Sequence, residues 1–250
     1  MKRLQLLGID ISLGSYDSFI NTLIEEARAR KSCYVCLANV HMLVEAHNSP
    51  SFASVLNNAR MVIPDGKPLI WALQILFGVK QERVAGMDLL PDLLFAADKH
   101  KISVAFYGGT DEILHKTLLY LKKGFPNINI VKMYSPPFRP LNDEESSDII
   151  KMFNESGAEL IFTVLGCPKQ EKWMASMKNK INAVMIGIGG ALPVLIGTKK
   201  RAPKWMQRSG LEWLYRLGQE PKRLFKRYAS TNCLFIYLLV KEKFLSTKIW

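Results

Sequence analysis

The chain has 250 residues, 48% of them hydrophobic and 22% charged, which suits a folded protein with a sizeable core and excludes a largely disordered one. Its formal charge of +12 is lopsided: residues 199–250 hold 13 Lys or Arg against three Glu, so the body is nearly neutral. A basic tail of this kind suits either nucleic acid or an anionic membrane, because both present dense negative charge.

In chain order, Met1 to Asp10 carries two basic residues but no apolar run of signal-peptide length, so the expectation is a cytoplasmic protein. From residue 33 onward β-rich runs alternate with helix-period segments. Strands are predicted near Tyr34–Ala38, Met61–Ile63, Ser103–Tyr107, Ile128–Met133, Leu160–Leu165 and Ala183–Ile188. Between them, Pro50–Ala59, Pro68–Phe77, Asp88–Lys99, Glu112–Lys123, Glu144–Glu155 and Gln170–Lys178 space their apolar residues as helices do. This alternation predicts an α/β fold: a Rossmann-like, mostly parallel sheet covered by helices.

After Gly197 the pattern changes. Basic residues dominate, and Leu211, Leu214, Leu217, Leu224 and Phe225 form apolar stripes beside Arg216, Arg223 and Arg227, as in interfacial helices. The expected division is therefore a core over residues 1–195 and a basic, helical, membrane-associating appendage over residues 196–250. The longest apolar run, Cys233–Val240, is far shorter than the ~20 residues that span a bilayer. Cys33, Cys36, Cys167 and Cys233 show no disulfide spacing, and Cys33 and Cys36 read as core thiols of a strand rather than half of a zinc site.

The unusual residues fall directly after predicted strands: Asn39, Asp65-Gly66, Gly108-Gly109, Gly166-Cys167-Pro168 and Gly189-Gly190. In an open α/β sheet the crevice outside the carboxyl ends of the strands is where ligands bind. Each of these turns, taken alone, is explained by Gly and Pro reversing the chain; their coincidence at one edge predicts a pocket. Asp65 has two readings, a helix cap or a base that accepts a proton from a hydroxyl. Tyr107-Gly108-Gly109-Thr110-Asp111 leads into a helix whose free N–H groups favour an anion. Gly187-Ile188-Gly189-Gly190 lacks the third glycine of a dinucleotide fingerprint, and there is neither a P-loop nor an Asp-x-Asp triplet. The four histidines are scattered, so no metal and no cofactor are expected, and Arg, Lys and backbone N–H groups would have to meet the charge of a leaving diphosphate.

The ordered set Ala38-Asn39-Val40-His41-Met42, Pro64-Asp65-Gly66, Glu82-Arg83-Val84-x-Gly86, Phe106-Tyr107-Gly108-Gly109, Gly166-Cys167-Pro168-Lys169-Gln170-Glu171 and Arg201-Ala202-Pro203-x-Trp205 through Arg227-Tyr228 resembles the WecG/TagA/CpsF glycosyltransferases. The resemblance runs from residue 5 to about 230. It implies inverting transfer of N-acetylmannosamine or a related sugar from a UDP donor to an undecaprenyl-diphosphate-linked sugar at the inner membrane face, in teichoic acid or other cell-surface polysaccharide synthesis. By the same resemblance Asp65 deprotonates the acceptor hydroxyl. Asn39, Gly66, Arg83, Gly108, Gly109, Gly166 and Gln170 match pocket positions, and Arg216, Arg223 and Arg227 match a basic segment that meets diphosphates or anionic lipid. Two departures stand out: Leu37 replaces a threonine, and Leu192-Pro193 replaces a Phe-Asp pair. Two other classes use the basic tail: a nucleic-acid-binding protein stacking bases on Trp205, Trp213 and Tyr228, disfavoured by the Leu and Phe content of the tail, and a non-catalytic membrane-surface protein that keeps the fold. Self-association is left open.

Overall fold

The computed structural model describes residues 1–246. The chain opens with an antiparallel hairpin, β1 (Lys2–Leu6) and β2 (Ile9–Leu13), followed by α1 (Tyr16–Arg28), β3 (Cys33–Ala38), α2 (Val40–Asn48) and α3 (Pro50–Asn57). Next come β4 (Met61–Pro64), α4 (Lys67–Phe77), α5 (Gly86–His100), β5 (Ser103–Gly108), α6 (Asp111–Gly124) and β6 (Asn129–Tyr134). α7 (Asp143–Ser156), β7 (Leu160–Val164), α8 (Lys169–Met177), β8 (Val184–Gly187) and α9 (Ala191–Leu195) complete the core region. The tail forms α10 (Lys204–Arg208), α11 (Glu212–Gln219) and α12 (Pro221–Ser246).

Strands β3 to β8 make one six-stranded sheet in the order β4-β3-β8-β7-β5-β6, with every neighbouring pair parallel. The fold is α/β and Rossmann-like, as the alternation implied. A parallel sheet needs helices on both faces, and its strands read as continuous apolar runs. Alternate residues serve two cores: Tyr34, Cys36, Ala38 and Tyr107 join one with α2, α3 and α8, whereas Val35, Leu37, Phe106 and Phe162 join the other with α1 and α5. Cys33 and Cys36, three residues apart, thus point into opposite cores as buried free thiols.

All six expected sheet strands are present. The hairpin, α1, α2 and the short α9 go beyond the expected alternation. The hairpin has a clear task. It lies against β4, and the Ser12 hydroxyl accepts the Val62 N–H at 3.1 Å, covering an edge that would otherwise expose unpaired backbone.

The tail is folded onto this core. α12 packs along α2 and touches α4; Leu224, Phe235 and Leu238 are buried, and Phe235 joins the core that holds α2. Of the expected apolar stripes, Leu214 and Phe225 are exposed. No described helix is long and apolar enough to cross a membrane. Residues 247–250 of the expected appendage lie outside the described residues.

Candidate active site

Because all six strands run parallel, their carboxyl ends share one rim, and the turns after β3, β4, β5, β7 and β8 meet there. Asp65 follows β4 directly. Its N–H donates to the Ala38 carbonyl at 2.6 Å, extending the ladder one residue beyond the strand. Gly66 then takes φ +96°, a left-handed value that allows the chain to turn at once into α4.

The Asp65 carboxylate accepts the N–H of Gly86, the first residue of α5, whose capping residue Ala85 has no side-chain acceptor of its own. A helix N-terminus favours a carboxylate. Even so, burial and then the nearby Glu212 carboxylate push the Asp65 pKa up to about 7, outweighing Arg216, Arg83 and the Gly86 N–H, which act in the opposite direction. The carboxyl group is deeply enclosed, yet Asp65 as a residue is only partly buried and follows the strand end, so it lies at the rim rather than in the sheet core. Near neutral pH about half of such groups are ionised.

Arg83 belongs to a four-membered ion cluster that ties core to tail. Its guanidinium donates to Asp88 at 2.7 Å and to Glu212 at 3.3 Å, while Arg201 reaches the same two carboxylates at 2.7 and 3.5 Å. Burial works against ionisation of Asp88, yet Arg201 and Arg83 hold its carboxyl below the usual range. Arg83 also borders an open cleft of about 310 Å³ lined by Lys67, Lys204, Gln207 and Arg208. Asp88, Arg201 and Glu212 were not among the expected site residues. The cluster joins two stretches, residues 83–88 and 201–212, that lie more than a hundred residues apart, so no local spacing marks it.

The three tail arginines separate. Arg216 lies over the Gly189-Gly190 turn, where a Cβ on Gly190 would sit 3.1 Å from its guanidinium, and is close enough to stabilise ionised Asp65. Arg227 faces the loops after β3 and β7: it acts on His41 and Cys167, and its Nε is buried without a hydrogen-bond partner. The pKa of His41 is lowered, chiefly by burial and then by Arg227. Arg223 is exposed and pairs with Glu220, which also pairs with Lys199.

The glycines and Gln170 shape the rim from beneath. Gly108 has φ +103°, and a Cβ there would lie 2.6 Å from the Val164 carbonyl oxygen; the Gly109 N–H donates to that oxygen at 3.0 Å. Only a bare backbone lets β5 and β7 close this tightly. Gln170 is buried. Its Oε1 accepts the Gly166 N–H at 3.3 Å, its Nε2 donates to Glu171 at 2.6 Å, and Gly187 leaves the space its amide fills. Gln170 therefore braces two strand-end loops. Asn39 caps α2 by accepting the Met42 N–H at 3.2 Å and stays partly exposed. Leu37 packs inward against Gly86, and Leu192 is fully buried in α9. Among the described residues, no three His, Cys, Asp or Glu side chains converge as metal ligands.

A sequence profile of the glycosyl transferase WecG/TagA/CpsF family matches residues 4–249. The chain belongs to this family. Its relatives include N-acetylglucosaminyldiphosphoundecaprenol N-acetyl-beta-D-mannosaminyltransferases of three bacteria. The protein of Bacillus spizizenii is 31% identical over 220 residues, covering 88% of this chain and 83% of the relative. That of Bacillus subtilis is 29% identical over 228 residues, covering 90% and 87%. The Staphylococcus aureus MW2 protein is 26% identical over 244 residues, covering 96% and 93%. As a WecG/TagA/CpsF glycosyltransferase, the chain places a titratable carboxylate and two guanidinium groups at the sheet rim where its fold class binds ligands.

Proposed function

We propose that this glycosyltransferase moves N-acetylmannosamine, or a related sugar, from a UDP donor to a sugar carried on undecaprenyl diphosphate. The transfer inverts the anomeric centre, needs no metal, and takes place at the cytoplasmic face of the cell membrane during teichoic acid or other cell-surface polysaccharide synthesis. The sugar and the lipid-linked acceptor follow the names of the relatives. The observation that carries the reading is Asp65: a deeply enclosed carboxylate on a partly exposed residue at the rim, with its pKa pushed up to about 7 and cations of both core and tail acting on it.

In the reaction the acceptor hydroxyl oxygen attacks the anomeric carbon, its proton passes to Asp65, and the bond to the UDP oxygen breaks with its electron pair on the diphosphate. A base works best when its pKa lies near the working pH. Burial and Glu212 supply that tuning. Arg216 and Arg83 would stabilise negative charge on the departing diphosphate in place of a metal, and Arg227 would serve the loops around Asn39 and Gly166. Gly66, Gly108, Gly109 and Gln170 hold those loops in position.

The test is turnover with a panel of UDP-sugars and a soluble analogue of a lipid-diphosphate-linked sugar. One UDP-sugar should give product of inverted configuration in the presence of a chelator, and Asp65→Asn should abolish transfer while retaining UDP binding. Full activity in Asp65→Asn removes the base. Retained configuration removes the single-displacement step.

A further inference from the structure

Apart from Lys67 and the exposed Gln74, α4 is apolar all round, yet only part of it is covered. Leu69, Ile70, Ala72 and Leu73 enter the core, whereas Trp71 and Ile75 are 46% and 58% exposed on the opposite stripe. Lys67 heads the same stripe, one turn before Trp71. The Trp71 ring rests against Gly210, where a Cβ would lie 2.9 Å away, and this contact brings α10 with its exposed Trp205 beside α4. At the other end Lys243 of α12 donates to the Ile75 carbonyl at 2.8 Å, so the exposed stripe Ile236, Val240 and Phe244 of α12 adjoins that of α4.

Cations ring this apolar surface. Lys67, Arg83, Lys204 and Arg208 line the cleft at the α4 N-terminus, Lys80 follows its C-terminus, and no Asp or Glu occurs from Lys67 to Gln81. A tryptophan-bearing apolar face flanked by Lys and Arg is the composition of an interfacial membrane helix. A second copy of the chain fits poorly. A twofold pairing through α4 sets Lys67 against Lys80, and a parallel one sets each lysine against itself, so like charges meet either way.

We propose that the outward face of α4, a core helix, inserts into the surface of an anionic bilayer, with Trp71 and Ile75 at the acyl boundary and Lys67, Lys204 and Arg208 on lipid phosphates. This deepens the membrane placement proposed above: the core, and not only the basic tail, grips the lipid. The Asp65 rim, one residue before Gly66 and two before Lys67, is thereby held at the bilayer surface.

Binding of the full chain to sedimenting vesicles of phosphatidylcholine with 30–40% phosphatidylglycerol, roughly the charge density of an anionic leaflet, tests this without any turnover. Trp71→Ser/Ile75→Ser should weaken partitioning about tenfold or more, and Lys67→Gln/Lys204→Gln/Arg208→Gln about a hundredfold. Ile75→Lys separates insertion from simple charge attraction: insertion requires it to weaken binding, whereas electrostatic adhesion alone makes it stronger. Ile75→Ser alone should melt as the wild type does, Trp71→Ser should melt lower because it gives up the contact with Gly210, and both should stay folded and turn over the soluble acceptor, so a failure of the glycosyltransferase reading is seen separately. Undiminished vesicle binding by the double variant overturns the proposal. So does a dimer in sedimentation velocity that the variant dissolves while vesicle binding persists, because α4 would then be a contact between copies.

Discussion

Replacing Asp65 by Asn should remove activity and increase stability together, with a pH dependence opposite to that of an ordinary salt-bridged aspartate. The folded protein holds the Asp65 proton with a pKa of about 7, against 3.8 for an unperturbed aspartate. A folded-state pKa above the unfolded one means that ionised Asp65 destabilises the fold. That cost is full above pH 7, shrinks as the pH falls, and is gone below about pH 4. At roughly 1.4 kcal/mol per pKa unit it reaches about 4 kcal/mol. Asparagine keeps an oxygen for the Gly86 N–H and carries no charge, so it escapes the cost. Urea unfolding of both proteins at pH 4, 6 and 8 should show the variant more stable by up to about 4 kcal/mol at pH 8 and nearly equal at pH 4. Loss of a general base should lower turnover by about 100-fold or more. A stability difference independent of pH, or a wild type more stable at pH 8, would refute the argument, because either outcome means Asp65 is not held against ionisation.

Glu212→Gln removes the carboxylate that helps raise the Asp65 pKa, so the acidic limb of the kcat/KM profile should move to lower pH. At pH 6 about a tenth of Asp65 is ionised, which limits the gain relative to the plateau to about tenfold; an unmoved limb would disprove the coupling. Gly108→Ala forces a Cβ to 2.6 Å from the Val164 oxygen at a positive φ and should cost more than about 3 kcal/mol in urea unfolding. A cost below about 1 kcal/mol would show that the β5–β7 closure relaxes freely. Arg227→Gln should raise the His41 titration midpoint followed by NMR, since Arg227 helps to lower it. A constant midpoint would place Arg227 away from the β3 loop.

The rim that holds the candidate site was legible because its signals are local. A strand ends where an apolar run meets Asn39, Asp65-Gly66 or Gly108-Gly109, and parallel order then gathers every such turn on one rim. The hairpin was not legible as a sheet-edge cover, because the Ser12–Val62 contact joins residues fifty apart. Gln170 matched a pocket position, but only packing showed its amide turned inward on Gly166 and Glu171.

Composition, periodicity and motif order by themselves determined the α/β class, the six sheet strands, the position of Asp65 and the basic character of the tail. Tertiary structure alone decided that Arg216 lies by Asp65, that Glu212 returns to raise the Asp65 pKa, and that α4 leaves Trp71 and Ile75 partly uncovered. The reason is physical. Strands, helices and turns follow from neighbours within a few residues, whereas charge coupling and burial depend on distances through space that the folded chain sets between residues far apart in sequence.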